Sequence, residues 1–366
     1  MATSGRGPEI CRVPGTYNKS ESPFKGFVNS KGIRAMIYRF SGLMLTALLT
    51  ASCYAENVPQ DHPGADEFAQ RAEEKYGLPQ ADVIALLQQA RYRQSIVDAM
   101  TRPAERKPWH EYRPIFITDR RIDGGVAFWR ENQAAVEAAA EEFEVDPEVI
   151  VAIIGVETLY GRITGSYRVI DALATLSFYY PDTGNDRSDF FSDEFMQFMV
   201  LSQEEGVPLT EAEGSYAGAM GLGQFIPSSY RAYSVDMDGD GRRDLWSSLP
   251  DILGSVANYL HSHGWEYGQP VAVDAMAIDG ADPAIAEKRN YKPEVTVAQL
   301  AESGYVTEAD IDMDTLASVI NLEEEDGDRL WLGFKNFYVI TRYNRSPLYA
   351  MAVYELSQAI LEGMEE

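Results

Sequence analysis

DPEVIVAIIGVETLYG, residues 146–161, is the stretch from which the rest of the fold can be predicted. Asp146 is a favoured N-cap residue, and the proline after it suits the first helical position, where its missing N–H is not needed. Residues 149–156 are all apolar or glycine, which predicts a helix that is buried on most of its sides. Gly161 is the expected C-terminal stop of this helix.

One ionisable side chain, Glu157, interrupts the apolar run. A carboxylate that leaves water must be paired, or it is protonated with a raised pKa. A carboxylic acid that keeps its proton near neutral pH can protonate a glycosidic oxygen. Glu157 is therefore a candidate general acid. The alternative interpretation is an ordinary salt-bridge partner near a helix end.

The composition is that of a globular protein with a large excess of acidic residues. The 366 residues include 45% hydrophobic residues and carry a formal net charge of -26. This charge argues against nucleic acid and anionic lipid as partners, but it allows a substrate that is bound through neutral sugar hydroxyls. The two cysteines, Cys11 and Cys53, both lie near the N-terminus, so the body has neither a disulfide nor a thiolate metal site.

The N-terminal segment, residues 1–55, is interpreted as a leader with a secretory signal. Met36 is the expected true start, because Arg39 and an apolar run too short to span a bilayer follow it. Two mature N-termini remain open. Cys53 ends a lipobox-like sequence and would carry a lipid anchor, whereas cleavage after Ala55 would release a soluble protein.

A second motif, residues 214–225, reads GSYAGAMGLGQF. Its glycines and alanines allow the backbone to approach itself or a ligand closely. Gln224 carries donors and an acceptor that suit sugar hydroxyls and acetamido groups. A packing turn without a ligand is the alternative. Nucleotide binding is not expected, because no strand pattern precedes the glycines.

A third motif, residues 236–244, reads DMDGDGRRD and matches the opening of a calcium-binding loop. Ser247 stands where such a loop has its final glutamate, so Asp251 is the predicted substitute in a longer loop. The alternative is a surface turn, but acids this close repel one another without a cation. The predicted metal ligands are Asp236, Asp238, Asp240, Arg242 through its backbone carbonyl, and Asp251.

Four motifs resemble those of lytic murein transglycosylases, specifically the membrane-bound B family. They are ETLYG at 157–161, SYAGAMGLGQF at 215–225, ANY at 257–259 and NFYVITRYN at 336–344. Their order, within a likeness that extends from about residue 65 to the C-terminus, makes the resemblance specific.

The resemblance implies a mainly α (α+β) fold in which a lysozyme-like helical catalytic core is joined to a helical domain and a small β-containing module. We assign the helical domain to residues 57–145 and the core, with the calcium loop, to residues 146–268. The small module is expected at residues 269–329. Residues 330–366 are expected to return to the core as a strand and a helix.

The resemblance also implies cleavage of the β-1,4 bond between N-acetylmuramic acid and N-acetylglucosamine in peptidoglycan, with formation of 1,6-anhydro ends. Glu157 would be the only catalytic carboxylate, and no acidic residue follows it within two helical turns. Ordinary glycosidases use two carboxylates. The substrate-binding residues that the resemblance implies are Tyr112, Ser215, Gln224, Tyr259, Tyr338, Tyr343 and Asn344.

Two alternative functions remain open at this stage. A hydrolytic muramidase would use water as the nucleophile, and a non-catalytic peptidoglycan-binding protein would not turn over its ligand. We expect peptidoglycan glycan strands as the partner, a monomer, no catalytic cofactor and a structural Ca²⁺. The expected location is the periplasm, either soluble or anchored to the outer membrane as a lipoprotein.

Overall fold

The computed structural model describes residues 60–102 and 107–366. The predicted leader, with Met36 and Cys53, lies outside this range. The helices are α1 (Ala65–Tyr76), α2 (Gln80–Leu87), α3 (Gln94–Met100), α4 (Trp109–Phe116), α5 (Asp119–Glu131), α6 (Gln133–Phe143), α7 (Pro147–Thr158), α8 (Val169–Phe178), α9 (Ser188–Glu205), α10 (Pro227–Tyr233), α11 (Leu249–Ser262), α12 (Pro283–Ala286), α13 (Val297–Glu302), α14 (Lys335–Tyr343) and α15 (Pro347–Glu365). The strands are β1 (Tyr167–Arg168), β2 (Glu213–Gly214), β3 (Ala272–Ala277), β4 (Val295–Thr296), β5 (Tyr305–Val306), β6 (Leu316–Glu324) and β7 (Gly327–Gly333). The predicted mainly α fold with a small β-containing part is confirmed.

None of the helices in the described ranges is both long enough and apolar enough to cross a lipid bilayer. The main hydrophobic core instead lies between these helices, and it extends from α1 to α15. Helix α7 lies at its centre and packs against α5, α6, α11 and α15. Residues 149–156 of this helix are all buried, as the uninterrupted apolar run predicts.

Both ends of α7 differ from the sequence prediction. Asp146 occupies the N-cap position but does not cap the helix with its side chain. Its carboxylate instead accepts hydrogen bonds from the indole N–H of Trp265 at 2.8 Å and from the backbone N–H of Gly268 at 3.1 Å. The helix ends at Thr158, because its C-cap residue Leu159 adopts the left-handed conformation. The predicted stop, Gly161, lies two residues beyond this cap.

The strands form two antiparallel sheets. The short β1–β2 pair joins residues 167–168 to the start of the glycine-rich segment. The larger sheet has the order β4-β6-β7-β3-β5. It has a small hydrophobic core of its own, formed by Val297, Leu300, Tyr305, Ala317, Val319, Leu332 and Phe334.

Residues 330–366 contain one more helix than the sequence predicted. Strand β7 ends at Gly333, and α14 begins at Lys335, before α15. Aromatic and β-branched residues in this segment favour a strand locally. Burial of one face, which includes Phe337, Val339 and Ile340, stabilises the helix instead.

Candidate active site and metal site

Glu157 lies half-buried in the last turn of α7, where its carboxyl contacts the first turn of α15. Its Oε1 accepts a hydrogen bond of 2.6 Å from the hydroxyl of Tyr349. Tyr349 is only 3% exposed. The N-cap hydroxyl of Ser346 accepts a bond from the Tyr349 N–H at 3.4 Å, so the start of α15 fixes the position of this tyrosine.

A second tyrosine, Tyr343, lies beside this pair. Its ring is nearly parallel to that of Tyr349, with centroids 6.4 Å apart, and its hydroxyl donates to the carbonyl of Gly223 at 2.6 Å. Burial raises the pKa of both hydroxyls, and the negative charge of Glu157 raises the pKa of each further. Both tyrosines therefore keep their protons at neutral pH and act as hydrogen-bond donors.

The backbone around Glu157 is strained. Leu159, Tyr160 and Gln224 have positive φ angles of 50°, 59° and 52°, and the described ranges contain one further non-glycine residue of this kind, Glu144. A hydrogen bond connects the strained turn after Glu157 to the segment that contains Gln224. The Thr158 hydroxyl donates it to the carbonyl of Leu222 at 3.1 Å. Backbone strain of this type clusters at functional sites, where the surrounding packing maintains it.

The side chain of Tyr160 holds this strained turn against two helices. Its hydroxyl donates to the carbonyl of Arg121 at 2.8 Å. A Cβ atom on Gly155 would lie 2.5 Å from that hydroxyl oxygen, and one on Gly125 would lie 2.6 Å from it. Helices α5 and α7 therefore need glycine at these two positions to admit the ring.

The glycine-rich segment forms a tight loop whose polar side chains are partly used within the protein. The Ser215 hydroxyl oxygen accepts the N–H groups of Ala217 and Ala219 at 3.2 and 3.1 Å, and its proton remains for another acceptor. The Gln224 amide nitrogen donates to the carbonyls of Thr164 and Gly221 at 3.1 and 2.9 Å. Gln224 therefore offers a ligand its carbonyl oxygen rather than its N–H groups.

Two of the predicted substrate-binding tyrosines are buried. Tyr112 is 1% exposed and packs between Trp109 and Phe116 on α4. Tyr259 is 8% exposed, and its hydroxyl donates to the carbonyl of Arg342 at 2.6 Å. Burial leaves little of either ring exposed for stacking on a sugar. We therefore expect both tyrosines to stabilise the positions of neighbouring side chains rather than to contact the substrate.

The remaining two residues lie on or next to α14. Tyr338 is half-buried, with the Arg342 guanidinium 5.7 Å from its ring centre. Asn344 is the half-buried C-cap residue of this helix.

Only some of the predicted site residues are in contact with one another. Ring and hydrogen-bond contacts connect Tyr259 to Tyr343, with centroids 4.8 Å apart, and Tyr343 to Tyr349, the partner of Glu157. Gln224 adjoins this group through the Gly223 carbonyl. Tyr338 lies about 7.5 Å from Tyr343 along the axis of α14, as five helical residues require.

Tyr349 is the residue at this site that the sequence analysis missed. It lies outside the four motifs, and its position among apolar residues of α15 is typical of a core residue. A usable signal existed, because the hydroxyl of a buried tyrosine generally needs a polar partner. Nothing in the sequence indicated that this partner is Glu157.

The candidate metal site is formed by three carboxylates. Oxygen atoms of Asp236, Asp238 and Asp251 all lie within 4.8 Å of one another. Asp251 is fully buried, in the first turn of α11. Its oxygens accept the backbone N–H groups of Met237 and Asp244 at 2.8 Å each, which fastens the loop to the helix.

Asp240, a further predicted ligand, is not in this group of side chains. Asp240 uses one carboxylate oxygen to accept the backbone N–H of Arg242 at 2.8 Å. Within the described parts of the chain, no lysine or arginine forms an ion pair with Asp236, Asp238 or Asp251. Converging carboxylates without a cationic side chain are a donor set that fits Ca²⁺.

Comparisons with known proteins agree with this geometry. The family model described as "Transglycosylase SLT domain" matches residues 60–358. The chain is 40% identical over 310 residues to membrane-bound lytic murein transglycosylase B of Escherichia coli (strain K12), which covers 82% of this chain and 83% of that protein. It is also similar to the crystal structure of soluble lytic transglycosylase SltB1 from Pseudomonas aeruginosa, with 44% identity and a TM-score of 0.75 over 83% of this chain and 100% of that one.

Two further similar structures contain ligands. Escherichia coli lytic transglycosylase Slt35 in complex with calcium is 38% identical, with a TM-score of 0.73 over 85% of this chain and 99% of that one. SltB3 from Pseudomonas aeruginosa in complex with NAG-NAM-pentapeptide is 30% identical, with a TM-score of 0.71 over 82% of this chain and 79% of that one.

Proposed function

Because the chain belongs to the Transglycosylase SLT domain family, we propose that it is a peptidoglycan lytic transglycosylase that cleaves between N-acetylmuramic acid and N-acetylglucosamine and leaves 1,6-anhydro ends. The observation that carries this proposal is the hydrogen bond between Glu157 and the buried Tyr349. It fixes the position of the Glu157 carboxyl at the end of α7.

Glu157 acts first as a general acid. It donates its proton to the glycosidic oxygen as the bond from that oxygen to C1 of N-acetylmuramic acid breaks. The resulting carboxylate then accepts the proton of the C6 hydroxyl, and the C6 oxygen forms a bond to C1. Glu157 regains its proton in this second step, so one carboxyl completes the cycle and no water is consumed.

The surrounding side chains position this carboxyl and the sugar. Tyr349 orients Glu157 and stabilises it while it is charged, because a donated O–H favours the charged form of a carboxylate. The Gln224 carbonyl oxygen and the Ser215 hydroxyl proton are the atoms of these side chains that would bind the acetamido and hydroxyl groups of the sugars. Tyr338 offers a half-exposed ring for a sugar face.

A structural Ca²⁺ is part of this proposal. Asp236, Asp238 and Asp251 would hold it, with Asp240 and the Arg242 carbonyl as further ligands on a loop that can close around the ion. The ion would neutralise the buried carboxylate of Asp251 and stabilise the start of α11, which carries Tyr259. No step of the reaction requires it.

We further propose that the mature protein acts as a monomer in the periplasm. The signal-like sequence after Met36 supports export, and the similar Escherichia coli protein is a membrane-bound lytic murein transglycosylase. Cys53 would supply a lipid anchor to the outer membrane. The mass of the mature N-terminal peptide, with Cys53 lipidated or with Glu56 first, separates the anchored form from the soluble one.

The product of digestion tests the proposed reaction. Purified sacculi treated with the protein should release muropeptides with anhydro-muramic ends, each one water lighter than the hydrolytic product. Reducing muramic ends would identify a hydrolytic muramidase instead. Binding to sacculi without any release would identify a non-catalytic peptidoglycan-binding protein.

A further inference from the structure

A pocket of about 370 Å³ lies where the five-stranded sheet meets the start of α14. It is lined on one side by residues that precede β3 and β4, and on the other by the first turn of α14. Tyr338, one of the residues proposed to bind the glycan, also lines it. The charged, hydroxyl-bearing and aromatic residues of its lining are Glu266, Lys292, Thr315, Phe334, Lys335 and Tyr338.

The wall of the pocket is held by buried hydrogen bonds. Asn336 is fully buried, and its amide nitrogen donates to the carbonyls of Glu266 and Gln269 at 2.8 and 2.9 Å. Its amide oxygen accepts the N–H of Glu266 at 2.8 Å. Phe334, also buried, donates its N–H to the carbonyl of Val271 at 3.0 Å. The loop and the helix start therefore form one preorganised surface.

The charge of this pocket is opposite to that of its surroundings. Residues 269–329 contain fifteen acidic and four basic residues, yet two lysines and one glutamate line the pocket. Only three lysines occur after residue 107, and Lys292 and Lys335 are two of them. Their placement at one pocket therefore does not follow from composition.

Lys335 is the more available of the two lysines. A Cβ atom on Gly264 would lie 3.2 Å from its Nζ, and within the described residues this lysine has no ion-pair partner. Lys292 pairs with Glu294 at 3.3 Å, but both side chains are more than half exposed, so this pair is weak and can open to an anion. Thr315 adds a hydroxyl to the same lining.

We infer that this pocket binds the carboxylate end of the peptide carried by the N-acetylmuramic acid of the substrate. The inference rests on the proposed function. A pentapeptide ends in a carboxylate, and Lys335 and Lys292 provide two cations for it. Tyr338 lines the pocket and is also one of the residues proposed to bind the glycan, and Lys335 lies about 12 Å from Tyr343 along α14. The apolar wall at Phe334 and the hydroxyl of Thr315 suit a peptide chain that enters between them.

The test measures binding and needs no turnover. The ligands are GlcNAc–MurNAc–pentapeptide, which lacks the scissile bond, the same compound with its C-terminal carboxylate amidated, and GlcNAc–MurNAc without peptide. Calorimetry gives the dissociation constants for the wild type, Lys335→Gln, Lys292→Gln and the double variant. Lys288→Gln is the matched control, because this lysine belongs to the same module but does not line the pocket.

The preference of the wild type for the free carboxylate over the amide should fall about threefold for each single variant and about tenfold for the double variant, as partly exposed ion pairs allow. Lys288→Gln should keep the wild-type preference. An unchanged preference in the double variant, or an equal loss in Lys288→Gln, would overturn the inference. If these ratios hold but the wild type does not cleave sacculi, the proposed function fails and the pocket assignment stands.

Discussion

The hydroxyl of Tyr349 donates a 2.6 Å hydrogen bond to the carboxyl of Glu157, although 192 positions separate the two residues in the sequence. The contact joins the end of α7 to the start of α15, and both elements belong to the same hydrophobic core. A donor held this rigidly stabilises a carboxylate more effectively than water, because it does not need to reorient when the charge appears. Tyr349 is thus a positioning residue for Glu157.

Tyr349→Phe removes this donor and keeps the ring. Cleavage of sacculi should slow by about tenfold to about a hundredfold, because hydrogen bonds to charged groups contribute about 1.5–3 kcal/mol. Loss of the donor favours the protonated carboxyl, so the high-pH limb of the rate profile should move to higher pH. Tyr354→Phe, on the same helix, is the control and should leave both properties unchanged. A slower variant whose pH profile does not move would indicate a purely structural role.

Glu157→Gln keeps the shape of the side chain but cannot transfer a proton. Turnover should fall by at least about 10²-fold to 10⁴-fold, the usual contribution of general acid–base catalysis. Folding and binding of glycan strands should persist, as circular dichroism and sedimentation with sacculi would show. Glu148→Gln, nine positions earlier on α7, is the control for loss of a carboxyl from this helix. Wild-type turnover in Glu157→Gln would require a different acid.

Calcium should stabilise the folded protein, since a ligand that binds only the folded state shifts the unfolding equilibrium by mass action. At a calcium concentration of about 100 times Kd, the gain is about 2.7 kcal/mol, or about 5 °C in Tm. Asp238→Asn should abolish the shift, because Asp238 contributes to the three-carboxylate group. The control is Asp310→Asn, an exposed acid in the small sheet module. Activity at low temperature should survive chelation of calcium. A wild-type Tm that does not change on addition of calcium would exclude the site.

Glu194 gives a pH prediction for stability. It is 3% exposed, and burial raises the pKa of its carboxyl although the hydrogen bonds from Ser228 lower it. The folded state therefore binds the proton more tightly than the unfolded state. The stabilisation is complete below the unfolded pKa of about 4.3 and is lost as the pH rises through the folded value.

Glu194→Gln removes this ionisation and can retain both contacts with Ser228, because its amide can accept the N–H and donate to the hydroxyl. The free energy of unfolding of the variant, relative to that of the wild type, should therefore increase from about pH 4 to about pH 8, because only the wild type loses stability over this range. Urea unfolding at the two ends of this range measures the difference. Glu213→Gln replaces an exposed carboxyl and should show no such trend. A difference independent of pH would contradict the assignment.

The sequence was sufficient wherever the signal was local. The apolar run at residues 149–156 predicted a buried helix, and the spacing of Asp236 and Asp238 indicated a cation site that the structure brings together with Asp251. Both patterns are complete within a few turns of chain. The four motifs in order gave the family, which the comparisons confirm.

Long-range partners could not be predicted in the same way. The favoured N-cap residue Asp146 binds Trp265 and Gly268 instead of its own helix. The hydroxyl of Tyr259 is used by the carbonyl of Arg342. Partners that are distant in sequence come within reach of a side chain only after the chain has folded. Tertiary packing, rather than sequence spacing, then decides which of them forms the hydrogen bond.

The left-handed turn after Glu157 also bears on protein engineering. Glycine would adopt the backbone of Leu159 and Tyr160 with less strain, by about 1 kcal/mol at each position. These residues are kept for their side chains, because Leu159 is buried and Tyr160 fills the gap between α5 and α7. Leu159→Gly would remove a buried side chain, and this loss of about 2–5 kcal/mol exceeds the relief of strain. Glycine at this turn would also disturb the geometry of the carboxyl next to it, so thermostabilising substitutions should be sought elsewhere in the chain.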